Sequence, residues 1–381
     1  MNSTRIGLIT TLNTNIGDDF IREGICLVLR EIFRGHQIQF IAVNKHDPLM
    51  VYPRWHPIHL AKLAGYLPRA RYRAFSLIER CASKLKLSRF DSCDLVVQCG
   101  APVLWPGCHR CEWAEPLWHH VVGRLSQRIP VLNLAAGSCY PWERQPTHIT
   151  DTEDAEYLRA ILNYCHLTTV RDTVAQRLCV SLGVKTPLLP CSAFLAGETD
   201  VAAGADGVIL VNYMSGGGHY GWDQGIDSLA WCETVKALIA RLQRRHRLIF
   251  LCHSEEEYSL ARNLDPTLPR VLPKTPQEYF SLVAEAKAAL CNRMHASIRL
   301  AGLGVPSVAV CTDTRLLMVD TIGLPCLYVK EASVDQLEQA LENLLAHRTE
   351  ESERLLALRA ETFRRYVEIV ADNIDRSPNR N

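Results

Sequence analysis

A strand-to-helix turn near the C-terminal end of the sequence carries three side chains that could do chemistry. The stretch Ala288 to Pro325 reads as strand, helix, strand and helix, and its first strand stops at Asn292, which predicts the N-cap of the next helix. Arg293, His295 and Arg299 then fall within the first two turns of that helix. Free backbone N–H groups at a helix N-terminus favour an anion, so potential cations here predict an anion-binding site.

The residue types also indicate which reactions such a site would serve. A planar guanidinium binds a carboxylate or a phosphate through two hydrogen bonds, and we expect Arg293 and Arg299 to share one helix face as a clamp. His295 can exchange a proton near neutral pH. Functional side chains of α/β proteins gather at the carboxyl ends of strands, so this turn is the first candidate for the active site. The alternative is that these residues only cap the helix or face solvent.

Polar and small residues also follow the predicted strands of the first half of the chain. The loop from Asn13 to Asp19 holds Asn15, Gly17 and Asp18, and it matches neither a phosphate-binding loop nor a dinucleotide fingerprint. A capped helix start is the alternative interpretation of this loop. The third predicted strand ends at Gly100, and small residues at strand ends let a ligand come close.

Two further turns of the first half join this group. The fourth predicted strand, Ile129 to Leu134, ends in Ala135 to Ser138, which we expect to line the same cleft as the loop around Gly100. Arg171 and Asp172 occupy a later strand-to-helix turn, where Asp172 is either a helix cap or a base.

The second half repeats the pattern. A predicted strand, Val208 to Asn212, is followed by a glycine-rich loop that contains Gly217 and His219, and another, Leu248 to Leu251, is followed by His253. These side chains are candidates for ligand contacts because they too follow strand ends.

Together the strand ends predict one cleft between two halves of the chain. Asn15 to Asp19 and Cys99 to Ala101 are expected on one side, and Ser215 to His219 and Asn292 to His295 on the other. Such a cleft requires parallel sheets whose carboxyl ends face each other.

The length of the chain agrees with two domains. At 381 residues it exceeds what one hydrophobic core organises, and we predict an α/β fold with domains at 1–197 and 208–348. Glu198 to Gly207 breaks both hydrophobic periodicities and is the predicted linker. A long terminal helix at 349–375 is predicted to cross back to the first domain.

Composition excludes some classes of partner. With 42 Lys and Arg against 41 Asp and Glu the net charge is +1, so no basic field predicts nucleic-acid binding. No run approaches the roughly 20 apolar residues of a membrane span, and the N-terminus lacks the pattern of a signal peptide. We therefore expect a soluble, cytoplasmic protein.

The cysteines predict reduced thiols rather than disulfides or a metal centre. Fifteen Cys are scattered through predicted strands and helices, unlike a disulfide framework. Cys108, His109 and Cys111 include one CxxC pair, but zinc sites of this kind need a second pair. We predict that this cluster is structural or incidental and that the protein binds no metal.

Several of these elements together resemble the polysaccharide pyruvyl transferase family, whose fold is similar to the two Rossmann-like domains of the GT-B architecture. The most specific match is Arg293-Met294-His295 followed by Ala301, Gly304, Val305 and Pro306. The other matching elements are Asn15-x-Gly17-Asp18, Cys99 to Pro102, Arg171-Asp172 with Leu182-Gly183, and His253. Arg315 stands where the family commonly has Lys.

The resemblance implies a donor and site roles. Phosphoenolpyruvate would be the donor substrate, no cofactor would be needed, and Arg293 and His295 would serve donor binding and acid catalysis. Transfer to a sugar also needs a base for the acceptor hydroxyl, for which Asp18 and Asp172 are the candidates. Two alternatives stay open: a GT-B glycosyltransferase that uses a nucleotide-activated sugar, and a noncatalytic family member. The saccharide acceptor and the oligomeric state are left open as well.

Overall fold

The computed structural model describes residues 3–12, 16–59, 87–100, 102–197 and 207–375. Among the predictions, Asn15 as a ligand contact and most of the linker, 198–206, fall outside these residues.

The first half of the chain forms a six-stranded parallel sheet in the order β2-β1-β3-β5-β4, with β6 beside β5. The strands are β1 (Ser3–Thr10), β2 (Gln37–Asn44), β3 (Leu95–Cys99), β4 (Pro102–Leu104), β5 (Val131–Ser138) and β6 (Leu167–Val170). Every residue of β3 and β5 is buried, as expected of central strands that helices cover on both faces.

The second half forms another six-stranded parallel sheet, in the order β12-β11-β10-β7-β8-β9. Its strands are β7 (Val208–Asn212), β8 (Leu248–Leu251), β9 (Arg270–Val271), β10 (Ala286–Cys291), β11 (Ser307–Cys311) and β12 (Cys326–Tyr328). Two parallel sheets with flanking helices confirm the predicted α/β class. The exact domain limits remain predictions.

Nine longer α-helices connect and cover the two sheets within the described residues. They are α1 (Ile16–Ile32), α2 (Thr152–Tyr164), α3 (Thr173–Ser181), α4 (Ser228–Leu242), α5 (Glu255–Leu264), α6 (Pro276–Ala284), α7 (Met294–Ala301), α8 (Val334–Ala346) and α9 (Arg348–Asp375). The chain also contains a π-helical stretch, Ala114–Val122, single α-turns at Gly123–Leu125 and Leu317–Asp320, and several short 3-10 helices of three or four residues.

Side chains cap several of the helix starts. Ser333 and Gln336 form a capping box at the start of α8. Thr275 caps α6 by accepting from the Glu278 N–H, while the Glu278 carboxylate accepts from the N–H of Lys274 instead of closing the box on Thr275.

The predicted cap of α7 is wrong by one residue. Arg293 is the N-cap, and the Asn292 side chain instead accepts from the N–H of Met214 at 2.9 Å and donates to the carbonyl of Val310 at 3.0 Å. The carboxamide therefore ties β10 to the segments on either side of it in the sheet. Sequence alone favours the local cap because these partners are distant along the chain.

The last helix, α9, packs across both halves as predicted. Arg359 donates to the carbonyl of Leu195 at 2.8 Å, and the Tyr366 hydroxyl donates to the carbonyl of Pro190 at 3.0 Å. A continuous buried cluster that includes Phe20, Phe194 and Ile298 runs through the junction of the halves. Among the described helices, none joins the length and the apolar character that crossing a bilayer would require.

Candidate active site

A cavity of about 430 Å³ lies where the carboxyl ends of the two sheets meet. Its walls come from both halves and consist of Thr11, Asp18, Lys45, His46, Trp105, Trp113, Cys139, His219, Tyr220, Trp222, Arg293, His295 and Arg315. Thr11, Lys45 and Cys139 each follow directly on a strand end, as the strand-end rule for α/β proteins predicts.

Arg293 is fixed by a buried carboxylate behind the cavity. Its Nε donates to Glu257 Oε1, and Glu257 is 2% exposed. Glu257 also accepts from Asn212 Nδ2 and from the backbone N–H of His253, each at 2.9 Å. These bonds hold the guanidinium in one orientation at the cavity wall.

Arg315 is held in the same way. Its Nε and Nη2 donate to the two carboxylate oxygens of Asp313 at 2.8 and 2.6 Å, and Asp313 is fully buried. The guanidinium carbon lies 4.9 Å from the ring centre of Tyr220, a cation–π contact.

His295 meets a third arginine across the junction of the halves. Arg171 is 1% exposed, and its Nη1 lies 3.3 Å from Nε2 of His295. A guanidinium only donates, so Nε2 is the accepting nitrogen and a neutral His295 carries its proton on Nδ1. Burial, together with the charges of Arg171, Arg315 and Arg293, lowers the pKa of His295 well below 6.5. In the free protein this ring is neutral.

Lys45 is a buried cation on the opposite wall. It is 6% exposed, and its Nζ lies 4.9 Å from the ring centre of Trp113. Burial lowers the pKa of Lys45 to about 8, and the nearby charge of Asp18 acts in the other direction. Sequence reasoning missed Lys45 although it follows β2 directly, a position that the strand-end rule singles out.

The comparisons with known proteins bear on this arrangement. A profile of the family described as polysaccharide pyruvyl transferase matches residues 15–313, which include most of the cavity walls. The chain belongs to the polysaccharide pyruvyl transferase family. No curated protein matches the sequence.

Solved structures of other proteins share the fold of this family member. A UDP-GlcNAc 2-epimerase from Neisseria meningitidis bound to UDP-GlcNAc superposes with a TM-score of 0.55 at 10% identity, over 97% of this chain and 100% of that one. A complex of S. aureus MnaA with UDP has a TM-score of 0.55 at 10% identity, over 98% and 99% of the two chains. The predicted GT-B-like pair of Rossmann-like domains is thereby confirmed.

Asp18, Arg293, His295 and Arg315 line one cavity in this pyruvyl transferase family member, and Arg171 contacts it through His295. His219, from the predicted glycine-rich loop, lines it as well.

Arg299 requires a correction. Its side chain is fully buried, 5.5 Å from the ring centre of Phe20 and 4.9 Å from that of Phe280, rather than beside Arg293. Arg299 follows Arg293 by six residues, and at about 100° per residue an α-helix directs the two side chains about 240° apart around its axis. The prediction that they share one helix face was therefore wrong. Arg299 packs between the halves instead of forming a clamp.

Asp172 is also corrected, from a candidate base to a helix cap. Its carboxylate accepts from the Ala175 N–H at 2.7 Å, the Ser138 N–H at 2.8 Å and the Ser138 hydroxyl at 2.7 Å. The side chain is buried, and these three bonds fix α3 to the end of β5.

Gly100 and Gly217 make room for neighbouring protein atoms rather than for a ligand. A Cβ at Gly100 would lie 2.7 Å from Cγ2 of Ile21, and a Cβ at Gly217, which has a φ of 77°, would collide with Val329. Gly17 is buried in the first turn of α1 beside Asp18. The small residues therefore admit neighbouring backbone and side chains.

His253 differs from expectation too. The side chain is buried behind Arg293, and burial followed by the charge of Arg293 lowers the pKa of His253 to about 3, so His253 stays neutral.

The end of β5 also differs from expectation. β5 continues to Ser138, and Cys139 borders the cavity instead of the predicted Ala135 to Ser138. Burial raises the pKa of the Cys139 thiol to about 12, which keeps it protonated.

The segment with the CxxC pair supplies aromatic rings to the cavity. Trp105 and Trp113 line it, while the Cys108 thiol donates to Asp154 at 3.3 Å and Cys111 contacts the Tyr157 hydroxyl at 3.5 Å. Among the described residues, His109, Asp151 and Glu153 have possible ligand atoms within 4.8 Å of one another, and this group contains neither cysteine. That the protein binds no metal stays a prediction.

Proposed function

We propose that the chain transfers a pyruvyl group from phosphoenolpyruvate to a saccharide or a saccharide precursor. The observation that carries the proposal is the convergence of Arg171, Arg293 and Arg315 on His295 at one cavity. Phosphoenolpyruvate carries a carboxylate and a phosphate, and planar guanidinium groups match both. Membership of the family supports the same donor.

The proposed reaction conserves atoms and charge without a cofactor. A proton adds to C3 of phosphoenolpyruvate, and an acceptor hydroxyl oxygen bonds to C2. The bond from C2 to the phosphate oxygen then breaks, and a second acceptor hydroxyl bonds to C2 and closes a ketal. Of the two hydroxyl protons, one ends in the new methyl group and the other on the released phosphate.

Arg293 and Arg315 are the proposed anchors of the donor. Each guanidinium is already oriented by a buried carboxylate, Glu257 for Arg293 and Asp313 for Arg315. Such preorganised charges need little rearrangement when phosphate leaves, which favours the transition state over the free substrate.

His295 is the proposed proton donor, and the donor substrate itself would prepare it. The ring is neutral among cations in the free protein. Bound phosphoenolpyruvate places negative charge beside it, and this raises the pKa of His295. Protonation at Nε2 would release the ring from Arg171 and supply the proton for C3.

Asp18 is the proposed base for the acceptor hydroxyl. Of the described residues that line the cavity, it is the one with a carboxylate. Lys45 lines the same cavity, and the charge of Asp18 acts to raise the pKa of Lys45 against the effect of burial.

Phosphate release measures the proposed function directly. The protein is incubated with phosphoenolpyruvate and a panel of saccharides, and free phosphate is assayed, while melting curves compare phosphoenolpyruvate with UDP. We expect acceptor-dependent phosphate release and stabilisation by phosphoenolpyruvate alone. Stabilisation by UDP alone would favour a glycosyltransferase, and binding without phosphate release would favour a noncatalytic protein.

A further inference from the structure

Two pairs of aromatic rings face the cavity, and the donor chemistry uses none of them. Trp105 and Trp113 come from the segment after β4, with ring centres 5.6 Å apart and planes at 57°. Tyr220 and Trp222 come from the loop after β7, with ring centres 5.4 Å apart and planes also at 57°. We call these four residues the aromatic wall. Phosphoenolpyruvate has no ring or apolar face that would require it.

The wall adjoins the charged groups of the cavity. On the Trp113 side stands the Lys45 ammonium, and on the Tyr220 side stands the Arg315 guanidinium, each 4.9 Å from the ring centre. A molecule that packs on these rings would therefore reach Lys45, whose charge the proposed base Asp18 influences, and the proposed donor anchor Arg315 with its edge.

The second pair is held in place by both halves of the chain. The Trp222 carbonyl accepts from Arg144 at 2.7 Å, and Gln224 bonds to the Glu143 N–H at 3.1 Å and to the Thr312 carbonyl at 2.8 Å. Trp222 and Asp223 have φ values of 54° and 51°, which non-glycine residues rarely adopt. A strained loop that several bonds maintain is a preformed surface, and a preformed surface loses less entropy on binding.

We propose that the aromatic wall is the acceptor subsite and that it binds a pyranose ring by its C–H face. The proposal rests on pyruvyl transfer as the function. A pyranose has flat faces of C–H groups and a rim of hydroxyls, so it can pack its face on an aromatic ring and direct its rim to Asp18 and Lys45. An open-chain polyol has the same hydroxyls without a fixed apolar face. The acceptor class is thus a pyranoside.

Two comparisons test the subsite. Methyl pyranosides of glucose, galactose, mannose and N-acetylglucosamine are compared with sorbitol and glycerol, by quenching of tryptophan fluorescence and as acceptors in phosphate release. At least one pyranoside should bind and react saturably, and the alditols should not. Equal binding of sorbitol and the pyranosides would overturn the proposal, and this comparison needs no variant.

Variants locate the binding within the molecule. Trp105→Leu and Trp222→Leu should each raise the KM for the pyranoside about tenfold, equivalent to about 1.4 kcal/mol, with the KM for phosphoenolpyruvate unchanged. Trp55→Leu is the matched control, because Trp55 is 69% exposed and does not line the cavity described here. The same loss in Trp55→Leu, or unchanged acceptor KM in both wall variants, would overturn the subsite.

The outcomes separate the subsite from the function. If pyranosides bind the wall but phosphoenolpyruvate releases no phosphate with any of them, pyruvyl transfer is refuted while the pyranose subsite stands. If phosphate is released with alditols as readily as with pyranosides, the subsite is refuted while pyruvyl transfer stands.

Discussion

Arg171 donates from Nη1 to Nε2 of His295, 3.3 Å away, and so joins side chains that lie 124 residues apart in the two halves of the chain. Burial, followed by the charge of Arg171, lowers the pKa of His295 and keeps the imidazole neutral, and the contact sets its tautomer, with the remaining proton on Nδ1. Proton transfer from His295 therefore depends on the negative charge that the donor substrate adds beside the ring, because this charge raises the pKa of His295.

We expect His295→Ala to lower turnover about 100-fold or more while the KM for phosphoenolpyruvate changes less, because the ring supplies a proton and the arginines supply binding. Steady-state kinetics and melting curves on the same preparation measure this. His148→Ala, at an exposed histidine, is the control. Full turnover in His295→Ala would remove the catalytic assignment.

Arg293→Lys should weaken donor binding and also lower stability. Lysine keeps the charge but loses the planar fork, so the KM for phosphoenolpyruvate should rise about tenfold. Buried Glu257 would lose its Nε partner, at a cost of about 1 to 3 kcal/mol. Arg262→Lys, at an exposed position of α5, is the matched control. An unchanged KM would show that Arg293 only stabilises the fold.

The activity should decline at alkaline pH because of Lys45. Its pKa is about 8, so the ammonium is present below that pH and is lost as the pH rises through it. The kcat/KM for phosphoenolpyruvate should then fall above about pH 8, and in Lys45→Arg the fall should move to higher pH, since arginine stays charged.

Lys45→Met should lower kcat/KM below about pH 8, where the wild-type ammonium is present, and raise the melting temperature near pH 7. Folding lowers the pKa of Lys45, so the protonated side chain destabilises the protein below pH 8, and this penalty disappears as pH rises towards the ordinary value. Lys185→Met, at an exposed lysine, is the control. If the pH profile of Lys45→Arg is identical to that of the wild type, loss of the Lys45 ammonium does not cause the alkaline decline in kcat/KM.

Arg299→Met should leave the KM for phosphoenolpyruvate unchanged and keep or raise the melting temperature. The guanidinium is fully buried between two aromatic rings, and burial lowers its pKa to about 10, so its charge is costly there. A tenfold rise in the donor KM would restore Arg299 as part of the clamp.

The sequence was sufficient to locate the site through strand ends, because parallel strands place their carboxyl ends at one edge. Asp18, Arg293 and His295 were found in this way, and the strands at Val208–Asn212 and Leu248–Leu251 were predicted to the residue. These signals are local, so one sequence contains them.

Contacts between distant segments were beyond the same reasoning. The contact between Arg171 and His295 depends on how the two halves pack together. The carboxylate of Asp172, a candidate base in the sequence, accepts hydrogen bonds from the N–H and the hydroxyl of Ser138. Trp105 and Trp113 were not predicted, because the CxxC pair was the more distinctive pattern in their segment. In the structure Cys108 contacts Asp154, and Cys111 contacts Tyr157.

Glu257 affects the proposed reaction indirectly, because it orients Arg293 at the cavity wall without lining the cavity described here. This carboxylate binds the side chain of Asn212 at the end of β7, the N–H of His253 after β8 and the guanidinium of Arg293 after β10. Three strand ends thus share one fixed point. In a random mutagenesis screen for lost activity, Glu257 would score like a substrate ligand, because its loss would release Arg293 at the cavity wall.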